Sequence, residues 1–251
     1  MTTNNIIIFE ENSLPGMRVA GKLAKKVLDF IEPYVKEGIT TNELNSLCHD
    51  FIINNNAIPA PLNYNGFPKS ICTSVNDVIC HGIPSGYKLK NGDIINIDVT
   101  VILDGWYGDT SRTFMVGDCT PLARNLIETT EKAMFVGIDA IKIGGHISDI
   151  GRAIQKYIDK THYSIVRDYG GHGIGNFFHG EPFVAHYDTD ELGTEIVPGM
   201  FFTVEPMINV GKYKCKVLKD DWTVVTVDKS LSAQFEHTIA VTKDGIEILT
   251  L

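Results

Sequence analysis

Two acids placed by one turn carry the first chemical signal in this 251-residue chain. Asp98 and Asp109 lie in two β-rich runs, residues 92–103 and 106–113, joined by Asp104-Gly105. An Asp-Gly pair between such runs is a strong hairpin signal, and a two-residue turn sets the register. Leu103 then faces Trp106, Val101 faces Gly108, Thr100 faces Asp109 and Asp98 faces Ser111. Side chains alternate along a strand, so Asp98, Thr100 and Ile102 share a face with Tyr107, Asp109 and Ser111. The two acids become diagonal neighbours, on the order of 7–8 Å apart at the backbone. Carboxylates this close in a core-like strand require a shared proton or a cation between them. A lone Asp would read as solvated at a sheet edge; the pair reads as metal or shared-proton chemistry. Carboxylate oxygen suits Mg, Ca and Mn, and an added imidazole brings in Zn, Fe or Co.

The elements that must position these acids follow from periodicity. Leu14–Ile31 reads as a helix, with Met17, Ala20, Ala24, Val27, Leu28 and Ile31 inward and Pro33 ending it. Thr40-Thr41-Asn42-Glu43 is a capping-box start for a second helix with Leu44, Leu47, Cys48, Phe51 and Ile52 inward. Residues 54–65 read as loop, 70–79 as mostly extended, and His81-Gly82-Ile83-Pro84 as a break. Residues 121–140 form a long helix with Leu122, Leu126, Ala133 and Met134 inward, and 148–158 another, with Ile150, Ala153, Ile154, Tyr157 and Ile158 inward. A strand ends at Glu205 before Pro206; 209–221 is a long connection; residues 222–227 return, and one final strand carries 233–241. A short terminal strand follows Asp244-Gly245.

The halves repeat. Residues 41–52 align onto 147–158, Cys80-His81-Gly82-Ile83 resembles Gly171-His172-Gly173-Ile174, and 91–98 matches 198–205. Three weak matches in one order argue for a duplicated unit with a pseudo-twofold axis, far longer than a solenoid repeat. Duplication brings Asp98 and Glu205 to one seam, and Glu236 becomes the counterpart of Asp109. His172, within Gly170-Gly171-His172-Gly173-Ile174-Gly175, alone would read as a loop histidine; beside four acids it reads as a ligand. Four buried carboxylates need about two divalent cations' worth of charge. With one imidazole they make a two-metal hydrolase set, in which water becomes acidic enough to attack a carbonyl.

Composition narrows the class. Hydrophobic content of 43% and charged content of 21% are those of an ordinary soluble globular protein. Net charge of −9 argues against nucleic acid or an anionic membrane surface as partner. Five cysteines without a C-x-x-C pair fit free thiols in a reducing cytoplasm. Neither a signal peptide nor a membrane-spanning apolar run is apparent.

Over nearly its whole length the chain resembles the type I methionine aminopeptidases of the bacterial short form. The matching stretches are Tyr64-Asn65-Gly66-Phe67-Pro68-Lys69-Ser70, Asn76-Asp77-Val78-Ile79-Cys80-His81-Gly82-Ile83-Pro84, Asn96-Ile97-Asp98-Val99 and Gly108-Asp109-Thr110-Ser111. To these add the glycine-flanked His172 stretch, Thr203-Val204-Glu205-Pro206 and Ala233-Gln234-Phe235-Glu236-His237-Thr238. The resemblance implies the α/β "pita-bread" fold: one catalytic domain over 1–251, with pseudo-symmetric halves of about 14–116 and 121–251 around an antiparallel-rich sheet. It implies two divalent ions (Co, Mn, Fe or Zn), bridged by Asp109 and Glu236, with Asp98 completing one and His172 with Glu205 the other. His179 would polarise the scissile carbonyl, His81 would contact the peptide near the scissile nitrogen, and Glu205 would also take a proton from water. Tyr64, Phe67, Cys72, Phe178 and Trp222 would form the apolar pocket for the methionine side chain. For Cys72 the residues alone favour ordinary core.

The implied substrate is the N-terminal methionine of nascent chains with a small second residue. The implied protein is a cytoplasmic monomer, touching the ribosome surface at most transiently, since no dedicated docking module precedes the domain. Departures from the family pattern leave the ligands untouched: Asn176 and Phe177 stand where Arg and Gly are common, Gly180 where Glu is frequent, and Phe67 where Tyr is common. Three competing readings remain. An X-Pro aminopeptidase or prolidase shares the fold but usually carries a further N-terminal domain. A non-enzymatic binding module of this fold tends to lose ligands. An aspartic dyad without metal leaves His172, Glu205 and Glu236 unexplained.

Overall fold

The computed structural model describes residues 6–251. Helix α1, Leu14–Ile31, buries the predicted stripe completely: Met17, Ala20, Ala24, Val27 and Ile31 have no accessible surface and Leu28 almost none. Each large apolar side chain so buried stabilises the fold by about 1.5–3 kcal/mol before entropy is counted. The helix gives way at Ile31 to a 3-10 turn over Glu32–Tyr34 that contains Pro33. Helix α2, Thr41–Asn54, starts on the predicted capping box: Thr40 Oγ1 accepts from Glu43 N at 3.1 Å, and Glu43 Oε2 accepts from Thr40 N at 2.7 Å.

Strands β1 (Ile58–Pro59), β2 (Cys72–Val75), β3 (Val78–Cys80), β4 (Ile94–Leu103) and β5 (Trp106–Met115) complete the first half. Helices α3 (Pro121–Asp139) and α4 (Ser148–Ile158) open the second. It continues through β6 (Ser164–Ile165), β7 (Gly171–Gly173), β8 (Gly180–Val184), β9 (Phe201–Val204) and β10 (Met207–Asn209). Strands β11 (Cys215–Val217), β12 (Val224–Thr226), β13 (Ser232–Gln234), β14 (His237–Thr242) and β15 (Gly245–Ile248) close it.

All these strands pair antiparallel, in four small sheets rather than one continuous sheet. Strand β4 shares one edge between β1 and β2 and gives the other to β5; a five-stranded sheet runs β15-β14-β9-β7-β8. The first core packs α1 and α2 on β4, and the second packs α3 and α4 on β9, β10, β13 and β14. Strand β12 of the second half pairs β3 of the first, and an isolated bridge, Ser111 to Glu236, stitches the halves at the chemical centre.

The duplication is visible in backbone detail. Gly38 and Gly144 both adopt left-handed φ (90° and 79°), as do Gly92 and Gly199 (92° and 94°). Thr40 bridges Lys88 as His146 bridges Glu195. Asp149, in the place of Glu43, accepts from His146 N at 2.9 Å, keeping half of the capping box where no hydroxyl precedes α4.

Four expectations need correction. Residues 54–65 are not wholly loop: Ile58 and Pro59 add a short strand to the edge of β4, with Ile58 60% exposed because that edge has no further cover. The connection 209–221 contains β11, which pairs β12. The final strand is broken at residues 235–236, so Glu236 stands between β13 and β14, and Glu205 lies just past β9. Leu122 is 49% exposed: the inward stripe of α3 begins at Ala123, and the first turn projects past the core.

Candidate metal centre

The hairpin register is the one the Asp-Gly turn demands, with Thr100 opposite Asp109 and Asp98 opposite Ser111. Thr100 Oγ1 donates to Asp109 Oδ1 at 2.7 Å, and Thr238 Oγ1 donates to the Asp109 carbonyl at 2.7 Å. Glu236 N donates to Ser111 O at 3.1 Å, while Thr110 Oγ1 donates to Glu236 O at 2.7 Å. These bonds lash β5 to the break after β13. They also explain the break, because a continuous strand could not turn the backbone of Glu236 toward Ser111. Glu205 receives Thr203 Oγ1 on Oε1 at 2.7 Å and Gln234 Nε2 on Oε2 at 3.2 Å.

His172 N donates to Thr203 Oγ1 at 3.0 Å, and its ring Nδ1 lies 3.1 Å from Gly173 O. A carbonyl only accepts, so Nδ1 carries the proton and Nε2 presents a lone pair, the tautomer of a metal-ligating histidine. Nε2 lies 3.7 Å from both Asp109 Oδ2 and Glu205 Oε1. Asp109, His172 and Glu236 each offer a ligand atom within 4.8 Å of the others. Asp98 lines the same cavity beside them.

The electrostatics state what this cluster would bind. Burial lifts Asp98 to about 7 and Glu205 to about 8. Asp109 and Glu236 rise well above the ordinary range, first through burial and then through the other carboxylates. Burial lowers His172 to about 4, which keeps its Nε2 lone pair free. Four acids and one unprotonated imidazole, each anchored by hydroxyl, amide or backbone bonds, fit divalent cations by donor type and by charge.

Every predicted catalytic, ligand and pocket residue lines one cavity of about 290 Å³. Its floor is the acid cluster; its wall is Tyr64, Phe67, Cys72, Phe178 and Trp222. Phe67 is buried edge-on against Trp222, ring centroids 5.1 Å apart. Cys72 lies directly opposite Asp98 in register, and burial beside that acid holds its thiol protonated. His81, at a left-handed φ of 55°, packs edge-on to Tyr169 and Trp222, and burial lowers it to about 4. His179 stands at the mouth, its ring 4.2 Å from that of His172, and enclosure together with His172 and His81 lowers its pKa. A groove of about 940 Å³ elsewhere, between the 9–18 segment and the β14–β15 hairpin, holds none of this chemistry.

Some contacts had no sequence signal. Buried His186 accepts the Glu205 N–H on Nε2 at 3.0 Å, fixing the backbone under that acid from outside every motif. The departures at 177 and 180 explain each other: a Cβ on Gly180 would lie 2.5 Å from the Phe177 ring, which stacks on Phe9 at 6.1 Å.

Duplicated halves that clasp a carboxylate–imidazole cluster between them define a metal-dependent hydrolase of the pita-bread fold. The pattern of metallopeptidase family M24 matches residues 15–243, and the chain belongs to that family. It is 60% identical to the methionine aminopeptidase of Rickettsia prowazekii (strain Madrid E), over 98% of this chain and 95% of that one. The crystal structure of the Rickettsia prowazekii methionine aminopeptidase superposes with a TM-score of 0.96, covering 98% of this chain and all of that one. The prolidase of Pyrococcus furiosus, 21% identical, shares the fold at a TM-score of 0.75, but this chain covers only 65% of it.

Proposed function

We propose that this protein removes the N-terminal methionine from polypeptides whose second residue is small, using two divalent metal ions. The observation that carries the proposal is Asp109, His172 and Glu236 converging to within 4.8 Å on the floor of an apolar cavity. In this reading Asp109 and Glu236 would serve both ions, Asp98 would help hold one, and His172 with Glu205 the other. When bound, such ions supply the positive charge that makes water a nucleophile and a carbonyl an electrophile near neutral pH.

The chain's own groups do the rest. The rings of Tyr64, Phe67, Phe178 and Trp222, with the Cys72 thiol, receive a flexible thioether side chain, which suits aromatic walls. Glu205, whose proton affinity burial has raised, accepts a proton from the attacking water. His179, at the mouth, donates to the carbonyl oxygen as charge develops there. His81 contacts the scissile nitrogen. We place the work in the cytoplasm, on a single catalytic domain acting as a monomer on nascent chains, with transient contact at the ribosome surface. All five cysteines are free thiols, which suits that compartment. Among the described residues, no helix is long and apolar enough to cross a membrane.

The test is hydrolysis of Met-Gly-Met against an X-Pro peptide, before and after chelation. Methionine release that is lost on chelation and restored by Co or Mn is expected. Preference for the X-Pro peptide, or full activity in the metal-stripped protein, overturns the reading.

A further inference from the structure

We propose that Tyr64 is a positioning residue whose hydroxyl holds His179 in the tautomer with its proton on Nε2. The inference rests on the reading of His179 as the donor to the carbonyl oxygen. Tyr64 Oη lies 2.9 Å from His179 Nδ1. Among the described residues, His179 Nε2 has no hydrogen-bond partner, and the ring lines the cavity.

A neutral imidazole has one N–H, so the Tyr64 contact decides what the cavity receives. With the proton on Nδ1, donated to the phenol oxygen, Nε2 would offer a bare lone pair, which repels a developing oxyanion. With the phenol O–H donating to Nδ1, Nε2–H is a donor. The second arrangement is favoured, because a phenol is a good proton donor and an imidazole nitrogen a far better acceptor than a phenol oxygen.

The backbone is built to deliver that hydroxyl. Tyr64 opens a 3-10 turn over Tyr64–Gly66; Asn63 just before it, and Asn65 and Gly66 within it, have left-handed φ (67°, 47° and 87°). Such a run is costly outside glycine and is retained where surrounding structure over-determines it. Asn63 N donates to Phe67 O at 2.8 Å and Phe67 N to Tyr64 O at 2.9 Å, clamping the turn. The Tyr64 ring packs 4.8 Å from Phe178, which stacks on the His179 ring at 4.0 Å. An apolar pocket wall needs the ring alone; nothing in that role uses the oxygen.

Tyr64→Phe keeps the ring and removes the oxygen. The measurements are ¹⁵N NMR of histidine-labelled, zinc-loaded protein, with His179→Gln to assign the resonance, and steady-state kinetics on Met-Gly-Met. In the wild type, His179 should show the proton on Nε2. In Tyr64→Phe the tautomers should mix, and kcat should fall roughly tenfold, the scale of one lost hydrogen bond, with KM within about twofold. A wild-type proton on Nδ1, or an unchanged tautomer in Tyr64→Phe, overturns the proposal. A shifted tautomer with unchanged kcat upholds the hold of Tyr64 on the ring, and removes His179 as donor from the proposed reaction instead.

Discussion

Asp109 is held on three sides: by Thr100 at its carboxylate, by Thr238 at its backbone, and by β4 in register. Its carboxylate converges with His172 and Glu236 to within 4.8 Å, a set of three to which Asp98 does not belong. Asp109→Asn should therefore cost more bound metal and more activity than Asp98→Asn. Metal analysis and turnover of both variants check this, and equal losses would remove the bridging assignment. His179→Ala should lower kcat and kcat/KM together, by roughly 10²–10³-fold, the usual cost of one oxyanion donor. Metal content should stay normal. Lowered thermal stability with wild-type turnover would make His179 a packing residue. At this scale the acids were legible because a two-residue turn leaves no freedom in register. His186 was not, because its contact runs through the backbone N–H of Glu205, which no side-chain pattern reports. The hydroxyl role of Tyr64 was equally silent, since pocket-lining and hydrogen-bonding tyrosines have the same sequence signature.

Helices are legible in the sequence where periodicity and end signals agree. Thr40 marks the start of α2, and Pro33 follows the end of α1. Thr40→Ala removes a cap with reciprocal bonds and should cost about 1 kcal/mol of stability while leaving metal content and kcat unchanged. Chemical denaturation with metal held constant measures it; a change in kcat would tie the cap to the site. Short strands are not legible in it. Strands β1 and β11 have two and three residues, and their pairing depends on β4 and β12, distant in sequence, rather than on any local alternation. The break at Glu236 is likewise imposed by Ser111 and Thr110 from the other half. Such tertiary demands override local propensity. The loop over 174–180 gives a sharper test. Gly180→Glu should disturb this loop in the present chain, because Phe177 fills the space, and Phe177→Gly in the same molecule should relieve the clash. Thermal melts of the single and double variants decide it; additive losses would contradict the coupling.

At the scale of the whole molecule, the buried acids make metal and pH one variable. In the metal-free chain the folded state keeps protons on these carboxylates at pH values where the unfolded chain has released them. The unfolded state then binds fewer protons, so stability falls as pH rises. The window opens near the ordinary carboxylate pKa of about 4 and closes near about 7 for Asp98 and about 8 for Glu205. Five buried histidines (81, 172, 179, 186 and 237) are held neutral in the fold, so below about pH 6.5, where the unfolded chain protonates them, they offset the acids. The chelated protein should therefore lose Tm between about pH 6.5 and 8, whereas a divalent ion, favouring the ionised acids, should remove or reverse that slope. Calorimetry with and without chelator measures it, and a flat profile for the metal-free chain would show that the acids are already solvated.

The stitch between Ser111 and Glu236 has a consequence in time. Asp98 and Asp109 emerge from the ribosome early, while Glu236 follows only after more than half the chain has been made between them. Until it arrives, the first hairpin exists with two acids and no closing partner, and no three-ligand set of the kind seen here can form. A growing chain is thus inert until the segment bearing Glu236 docks against β5, and a chain truncated before it should accumulate as a metal-poor, protease-sensitive half. Catalytic competence waits on the last of these ligands in the chain.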